Sequence, residues 1–155
     1  MSDLGDIKKA SIDTCFSFHV LEHLPNPIEI LSILKDKMNS NGILVVEVPH
    51  ANDFLLTIAK LPSFKSFTLW SQHLVLHTRE SLKRLLYVCD FTKIIINSRQ
   101  RYPLSNHLNW MINGEPGGHK TLFSVFDDVA LNKKYAKALA SIDATDTLVA
   151  YAKVT

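Results

Sequence analysis

Two strand-like runs separated by a helical pattern constrain the fold of this chain more than any other feature. The first run is Ile12–Phe18, which is β-branched and aromatic. The second run is Ile43–Val48, whose nearly unbroken aliphatic character is typical of a strand covered on both faces of a parallel sheet. Between them, Asn26 suits a helix N-cap and Pro27 suits the first helical position. The pattern therefore predicts a β-α-β unit with a right-handed crossover.

The ends of the intervening helix can also be predicted. Glu29 is placed to complete a capping-box-like pair with Asn26. Leu31, Leu34 and Met38 share one face, which predicts a buried stripe. We expect Asn39–Gly42 to end the helix, with Gly42 in the left-handed conformation common at helix ends.

The middle of the chain is less regular. His50–His77 is interrupted by Pro62, which we interpret as a breaker between a short helix and a loop or lid. Thr78 is expected to cap a helix, since apolar residues recur after it at helical spacing. That stripe consists of Leu82, Leu85, Leu86 and Cys89. A third strand is predicted at Phe91–Asn97.

The C-terminal third is expected to complete an α/β fold. Arg99–Lys120 is predicted to be a long, polar, glycine-bearing loop, and Phe123–Ile142 a helix. A turn at Asp143–Asp146 should then lead into a last strand at Thr147–Val154. The order is β-α-β-α-β-(loop, α)-β, which predicts one α/β domain over residues 1–155.

Composition narrows the classes of partner. The net charge of +2 in 155 residues gives no basis for nucleic-acid binding, and no Lys/Arg cluster stands out. No stretch approaches the roughly 20 apolar residues that a membrane span needs. We expect a cytoplasmic protein in which Cys15 and Cys89 are buried free thiols.

Four motifs in order resemble class I S-adenosylmethionine-dependent methyltransferases. Phe18–Pro27 resembles the family's Glu-His-Leu run after its fourth strand, and Gly42–Pro49 resembles its fifth strand. Trp70–Leu74 is similar to a Gln-His-Leu motif that precedes a helix in one subgroup. Asp90–Phe91 matches the end of that helix, with Asp90 where glycine is usual, and Asp146–Ala152 resembles the closing strand.

The resemblance implies a partial Rossmann-like sheet. The family's sheet has strand order 3-2-1-4-5-7-6 with strand seven antiparallel, and this chain would supply strands 4, 5, 7 and 6 with flanking helices. The family's cofactor-gripping glycine-rich turn follows strand one. The glycines here are Gly5, Gly42, Gly114, Gly117 and Gly118, and none forms a G-x-G turn after a hydrophobic strand. The N-terminal cofactor motif is therefore expected to be missing.

An incomplete sheet would leave Ile12–Phe18 as an open edge. Unpaired apolar edge strands invite association. We therefore expect homo- or hetero-oligomers through this edge, from a truncated chain, one piece of a split gene, or a remnant that pairs with another chain.

The resemblance implies S-adenosylmethionine as cofactor. The tip of the fourth strand lies beside the cofactor in the family, so Ser17, Phe18 and His19 would contact it and Leu24 would lie near its adenine. The alternative is that Phe18 is simply a core residue.

His19, Glu22 and His23 would be grouped by one helical turn, and His73 recurs in the Gln-His-Leu motif. Comparable Glu-His runs hold Mg²⁺ in some RNA 2′-O-methyltransferases and some quinone-biosynthesis O-methyltransferases. Here His19 replaces their first glutamate, which weakens a hard-cation site because Mg²⁺ prefers oxygen ligands. We therefore predict no metal and expect Glu22 and His23 to orient the loop and helix by hydrogen bonds.

Acceptor-binding residues are predicted in two places. His50, Asn52 and Asp53 follow the second strand, a position that often faces the acceptor in the family, and we place His50 and Asn52 in the site. The alternative is that these three are ordinary polar loop residues. In the long loop, Tyr102 and Trp110 could stack on a sugar ring while Asn106 hydrogen-bonds it, and His107 or His119 could act as a general base. The alternative is that this segment is a structural cap anchored by Trp110.

These features predict methyl transfer to a small polar or saccharide-like acceptor. We expect this chain alone to be incomplete for that activity. The alternative is a non-catalytic methyltransferase remnant that acts as an interaction module.

Overall fold

The computed structural model describes residues 6–155. Within that range the strands are β1 (Ile12–Phe18), β2 (Met38–Pro49), β3 (Thr92–Arg99) and β4 (Thr147–Lys153). The α-helices are α1 (Pro27–Lys37), α2 (Phe54–Thr57), α3 (Pro62–Thr68), α4 (Arg79–Val88), α5 (Leu104–Asn113) and α6 (Val129–Ser141). Short 3-10 helices lie at Leu21–His23, Gly118–Lys120 and Leu122–Phe126.

The four strands form one sheet in the order β1-β2-β4-β3. β1 and β2 are parallel, whereas β4 runs antiparallel to both of its neighbours, β2 and β3. This is the 4-5-7-6 order with an antiparallel last strand that the resemblance implied. The α/β prediction is confirmed.

One face of the sheet carries the hydrophobic core. Alternate residues of β2 and β4, such as Val46 and Ala150, face α1 and α4 and are fully buried. The two helices contribute Leu31, Leu34, Leu82, Leu86 and Cys89 to the same cluster. Burying one such leucine stabilises the fold by about 2 kcal/mol, so these two helices are held mainly by their apolar stripes.

The opposite face of the sheet is largely uncovered in the described range. Phe16, Phe18, Ile95 and Tyr151 all point to this side and are 42–62% exposed. Within residues 6–155, β1 pairs with β2 and with no other strand. The sheet therefore presents an exposed apolar face, and β1 at its edge is unpaired on one side.

The start of α1 agrees with the sequence prediction, but its end does not. Asn26 is the N-cap and Pro27 the first helical residue, although the Asn26 side chain makes no capping hydrogen bond and no capping box forms with Glu29. The helix ends at Lys37 and the chain enters β2 directly. Gly42 is required for a different reason than predicted, because a Cβ there would lie 2.8 Å from the Asn39 carbonyl oxygen.

The start of α4 is confirmed and better defined than expected. Thr78 Oγ1 accepts a hydrogen bond from the Ser81 backbone N–H, and Ser81 Oγ accepts one from the Thr78 N–H. This reciprocal pair is a capping box. It fixes the first turn of a helix whose apolar stripe packs on the sheet.

Two predicted irregular segments are helical. Pro62 begins α3 rather than breaking a helix, which is consistent with proline at a first helical position. The predicted long loop contains α5, which ends where Gly114 takes the left-handed conformation, with φ of 73°. The helix was missed because its buried side is polar: Ser105, Asn106, His107 and Asn109 are all buried.

No helix in the part of the chain that the structure describes is long and apolar enough to cross a membrane. Both cysteines are free; Cys89 is buried and Cys15 is half-buried.

Candidate functional site

One rim of the sheet gathers three segments that are distant in sequence. β1 and β2 end there, and the antiparallel β4 begins there. His19 follows β1 in the left-handed conformation, with φ of 52°, and its N–H donates to the Glu47 carbonyl at 2.9 Å. After β2, the His50 N–H donates to the Asp146 carbonyl at 2.9 Å. These backbone bonds fix the turns at the rim.

A cavity of about 750 Å³ opens at this rim. Its walls come from the ends of the strands and from α2, α3 and α5. Five aromatic side chains line it, namely Phe64, Phe67, Trp70, Tyr102 and Trp110. His19, His50, Asp53, Asn106, His107 and Asp146 are among its polar lining residues. A large, mostly apolar hollow with a few polar groups is typical of a small-molecule site.

Trp110 joins two parts of the cavity wall. Its ring centroid lies 5.1 Å from that of Phe64 and 5.1 Å from that of Phe67, so it ties α5 to α3. Only 4% of the residue is exposed. Trp110 therefore lines the cavity and packs α5 against α3, and its role toward an acceptor stays a prediction.

His107 is buried in the same wall, and both of its ring nitrogens are engaged. Nδ1 lies 2.8 Å from the Tyr135 hydroxyl, and Nε2 lies 3.2 Å from Gln100 Nε2, which can only donate. Burial lowers the pKa of His107 to about 4. The ring is therefore neutral at physiological pH, and its role as a general base stays a prediction.

Asp53 is a better candidate for proton transfer than His107 and His119, which we proposed from sequence as general bases. It is 5% exposed and lines the cavity, and one carboxyl oxygen caps α2 by accepting the Leu55 N–H at 2.6 Å. Burial raises the pKa of Asp53 to about 7. A carboxyl group that titrates near neutral pH is suited to proton transfer. The sequence marked this position after β2 but gave no measure of its burial.

His50 and Asn52, the predicted acceptor ligands beside it, each hydrogen-bond another part of the chain, although His50 Nε2 has no hydrogen-bond partner among the described residues. His50 Nδ1 lies 3.0 Å from the Thr145 carbonyl oxygen, and Nε2 lies 3.7 Å from an Asp143 carboxylate oxygen. Burial lowers the pKa of His50. Asn52 Nδ2 donates to the same Asp143 at 3.2 Å, and Asn52 is not part of the cavity lining.

The remaining predicted acceptor residues occupy different positions. Tyr102 is 51% exposed at the cavity mouth. Asn106 is buried, and its Oδ1 accepts the Gly117 N–H at 2.9 Å. His119 is exposed and lies outside the cavity lining. The structure thus brings Tyr102 and Asn106 to the cavity with Trp110 but does not bring His119 there.

The turn that follows Arg99 was missed by sequence reasoning. Asp146 accepts hydrogen bonds from the backbone N–H groups of Arg101 and Tyr102, each at 3.0 Å, and from Gln100 Nε2 at 2.8 Å. Burial raises the pKa of Asp146. These bonds position Arg101 and Tyr102 at the cavity mouth. No local sequence motif predicts these hydrogen bonds, because their partners are far apart in sequence.

The four predicted cofactor residues surround the end of β1. The Phe18 ring is 53% exposed and lies 5.6 Å from the Phe16 ring, whereas Ser17 and Leu24 are half-buried. Of the four, only His19 lines the cavity. The tip of β1 therefore lies at the cavity edge.

Charges at the tip of β1 converge on His19. Its Nδ1 lies 3.2 Å from Glu22 Oε1 and its Nε2 lies 3.2 Å from Glu47 Oε1, while Arg101 Nη1 contacts Nε2 and is 3.6 Å from Glu47 Oε1. The hydrogen bond to Glu22 raises the pKa of His19. His23 Nδ1 also lies 2.7 Å from the Gln72 carbonyl oxygen. The predicted orienting hydrogen bonds of Glu22 and His23 are thus present.

Sheet order, strand directions and the rim cavity together define the Rossmann-like methyltransferase class of α/β fold. The chain belongs to the methyltransferase domain family, whose model matches residues 5–94. No curated protein is similar enough in sequence to match the chain.

Solved methyltransferases share this fold at low sequence identity. A SAM-dependent methyltransferase from Archaeoglobus fulgidus is 18% identical with a TM-score of 0.58, over 97% of this chain and 62% of its own. A SAM-dependent methyltransferase from Thermotoga maritima is 9% identical with a TM-score of 0.59, over 97% of this chain and 59% of its own.

Phosphoethanolamine N-methyltransferase 2 from Haemonchus contortus, in complex with S-adenosyl-L-methionine, is 16% identical with a TM-score of 0.53. The match covers 97% of this chain and 34% of that one. The chain therefore spans less than two thirds of the length of each of these three structures.

Proposed function

We propose that this chain forms the acceptor-binding part of a SAM-dependent methyltransferase that acts on a small polar or saccharide-like acceptor. The observation that carries the proposal is the cavity of about 750 Å³ at the tip of β1, with His19 in its wall. In an open α/β sheet, ligands bind outside the carboxyl ends of the parallel strands. The family supports S-adenosylmethionine as the cofactor.

The tip of β1 fits one part of such a cofactor. The half-exposed Phe18 ring offers an aromatic surface for a purine, and Leu24 offers an apolar one. Ser17 and His19 flank the ring and would complete this contact. S-adenosylmethionine supplies an activated methyl group when it is bound, and these residues would hold its nucleoside.

The cavity residues would bind and orient the acceptor. Trp110 and Tyr102 supply aromatic surface, while Asn106 and Asp53 supply polar groups beside it. An apolar wall of this kind also excludes water, which would otherwise compete for hydrogen bonds with the acceptor. An acceptor hydroxyl or ammonium group must lose a proton when it is methylated, and Asp53 is the buried group best suited to hold it.

Calorimetric titration with S-adenosylhomocysteine, a stable analogue of the cofactor, tests the proposal. We expect saturable binding that Phe18→Ala weakens about tenfold, since base–aromatic stacking is worth about 1–3 kcal/mol. Phe16→Ala is the matched control, because it removes a similarly exposed ring from the same strand. No saturable binding by this chain, nor by the longest open reading frame that contains it, would contradict the proposal.

A second candidate is a methyltransferase relative that acts as an interaction module. The exposed face with Phe16, Phe18, Ile95 and Tyr151, next to the open edge of β1, favours it. A stable complex with another protein, formed without any affinity for S-adenosylhomocysteine, would support this alternative over the enzyme.

A further inference from the structure

Three aromatic rings in the wall of the rim cavity meet at steep angles. The plane of the Trp110 ring makes an angle of 84° with that of Phe64 and 54° with that of Phe67. Rings that cross in this way form a corner rather than a parallel stack, and all three line the cavity. We call them the aromatic corner. The face of an aromatic ring carries partial negative charge, so such a corner attracts a cation.

Two buried acids in the same wall have no ion-pair partner among the described residues. Asp53 is 5% exposed and Asp146 is 8% exposed. Asp146 is held by neutral donors, namely the backbone N–H groups of Arg101 and Tyr102 and the Gln100 side chain. Burial and the charge of Asp146 both raise the pKa of Asp53, and no cation opposes them. The Asp53 carboxylate therefore has no counter-ion.

The positive groups in the cavity wall are already matched by other acids. Arg101 Nη1 lies 3.6 Å from Glu47 Oε1. His19 lies between two carboxylates, with Glu22 Oε1 and Glu47 Oε1 each 3.2 Å from one of its ring nitrogens. Both groups stand at the tip of β1. The charge that lacks a partner in the wall is therefore negative.

His50 adds a buried acceptor that lacks a donor. Its Nδ1 lies 3.0 Å from the Thr145 carbonyl oxygen, which can only accept, so the neutral ring carries its hydrogen on Nδ1. Nε2 then holds a lone pair, and it is buried with no hydrogen-bond partner among the described residues. Since His50 lines the cavity, an N–H group of a ligand that reaches this nitrogen would satisfy it.

We infer that the acceptor is a primary or secondary amine, bound as its ammonium ion, with Asp53 as counter-ion and the aromatic corner packed around it. The inference rests on the proposed function and narrows the acceptor from small polar or saccharide-like molecules to organic cations. A neutral sugar would also pack against the rings, but it would leave the Asp53 carboxylate without a counter-ion.

Titration of the purified chain with a matched pair of ligands, without cofactor, tests the inference. Cyclohexylmethylammonium and cyclohexylmethanol differ in one polar group, and methyl α-glucoside represents the saccharides. Calorimetry at about pH 8, above the pKa of Asp53, measures the affinities. A change in tryptophan fluorescence locates the ligand, because both tryptophans of the chain, Trp70 and Trp110, line the cavity. We expect the ammonium ion to bind about tenfold more tightly than the alcohol or the glucoside.

Two substitutions separate the charge from the aromatic surface. Asp53→Asn should weaken binding of the ammonium ion about tenfold and leave that of the alcohol unchanged. Phe67→Leu keeps an apolar side chain but removes the ring face, so it should weaken binding of the ammonium ion about threefold. Asp36→Asn and Phe126→Leu are the matched controls, because both residues are exposed and lie outside the cavity lining.

Circular dichroism checks that each variant is folded; if Asp53→Asn is not, the ligand pair and Phe67→Leu decide the question. Equal affinity for the ammonium ion and the alcohol, tighter binding of the glucoside, or no saturable binding of the ammonium ion would overturn the inference. Saturable binding of S-adenosylhomocysteine by the same preparation would show that the proposed function survives such a result.

Discussion

Burial moves the pKa values of two residues in the cavity wall in opposite directions. The pKa of Asp53 rises to about 7 and that of His107 falls to about 4. The cause is the same, because an environment poor in water disfavours the charged form of either group. Near neutral pH the histidine is uncharged and the carboxyl group is close to its midpoint. Of the two, Asp53 is therefore the group that can exchange a proton.

Replacing Asp53 by asparagine should change how stability depends on pH. Between about pH 4 and pH 7 the folded state keeps the proton that the unfolded state releases, so stability falls as pH rises through this window and is then constant. The loss is of order 4 kcal/mol. Asp53→Asn keeps the oxygen that caps α2 but cannot titrate.

Urea denaturation at pH 5 and pH 8 measures this effect. The stability of Asp53→Asn relative to the natural chain should increase between the two pH values by a few kcal/mol. Asp36→Asn, the same substitution at an exposed position, serves as the control. Equal pH dependence of the natural chain and Asp53→Asn would refute the assignment of a raised pKa.

The residue types at the site were partly predictable, whereas their contacts were not. The family resemblance placed His50, Asn52 and Asp53 after a strand whose end often faces the acceptor. It could not indicate that Asn52 bonds Asp143, because that contact joins residues far apart in the chain. The same limit applies to His107, whose partner Tyr135 lies on another helix.

At the scale of elements, α1 and α4 were predicted from local signals, whereas α3 and α5 were not. α1 begins with Asn26 and Pro27, α4 begins with the capping box of Thr78, and both helices have apolar stripes that pack on the sheet. α5 buries polar side chains that bond to the turns around it, as Asn109 does through Nδ2 to the Glu115 carbonyl at 2.8 Å. Hydrophobic periodicity cannot reveal a helix whose buried side is polar.

Gly118 is expected to control the packing of α5 against the 3-10 helix that it begins. A Cβ at this position would lie 1.9 Å from the Ser105 carbonyl oxygen and 2.3 Å from its carbon, so the backbone must move. We expect Gly118→Ala to destabilise the fold by roughly 3 kcal/mol, since overpacking next to rigid backbone is costly.

Gly117→Ala provides the comparison in the same turn. Nothing lies within 4 Å of its Cβ position, although φ of 100° adds conformational strain of about 1–2 kcal/mol. Thermal unfolding, monitored by circular dichroism, should therefore give a lower midpoint temperature for Gly118→Ala than for Gly117→Ala. The reverse order would show that the close approach at Gly118 does not limit stability.

At the scale of the whole molecule, the described range of the sheet exposes one apolar face and ends in two strands, β1 and β3, that each pair on one side only. The strand order could be predicted only through the family resemblance, because pairing between distant strands leaves no local signal. The strand Ile12–Phe18 was expected at an edge, and it lies there within residues 6–155. Exposed apolar surface of this kind promotes association.

Phe16→Lys is expected to reduce self-association of the chain. Phe16 is 62% exposed on β1, and a lysine on an edge strand opposes pairing with a second strand. Light scattering across a concentration series should show a smaller mean mass for Phe16→Lys than for the natural chain. Val125→Lys, at a position 77% exposed outside the sheet, should leave the mass unchanged. A natural chain that stays monomeric throughout would contradict this expectation.

The position of β4 has a consequence for how the molecule is made. It is the last strand in sequence, yet it lies between β2 and β3, which do not pair with each other. During synthesis, β3 therefore has no strand to pair with until residues 147–153 have left the ribosome. Asp146 and Thr147 also complete the cavity wall, so a nascent chain has no ligand-binding hollow until its final strand is inserted. A frameshift that alters residues 147–153 would remove the strand that joins β3 to β2 and part of the cavity wall at the same time.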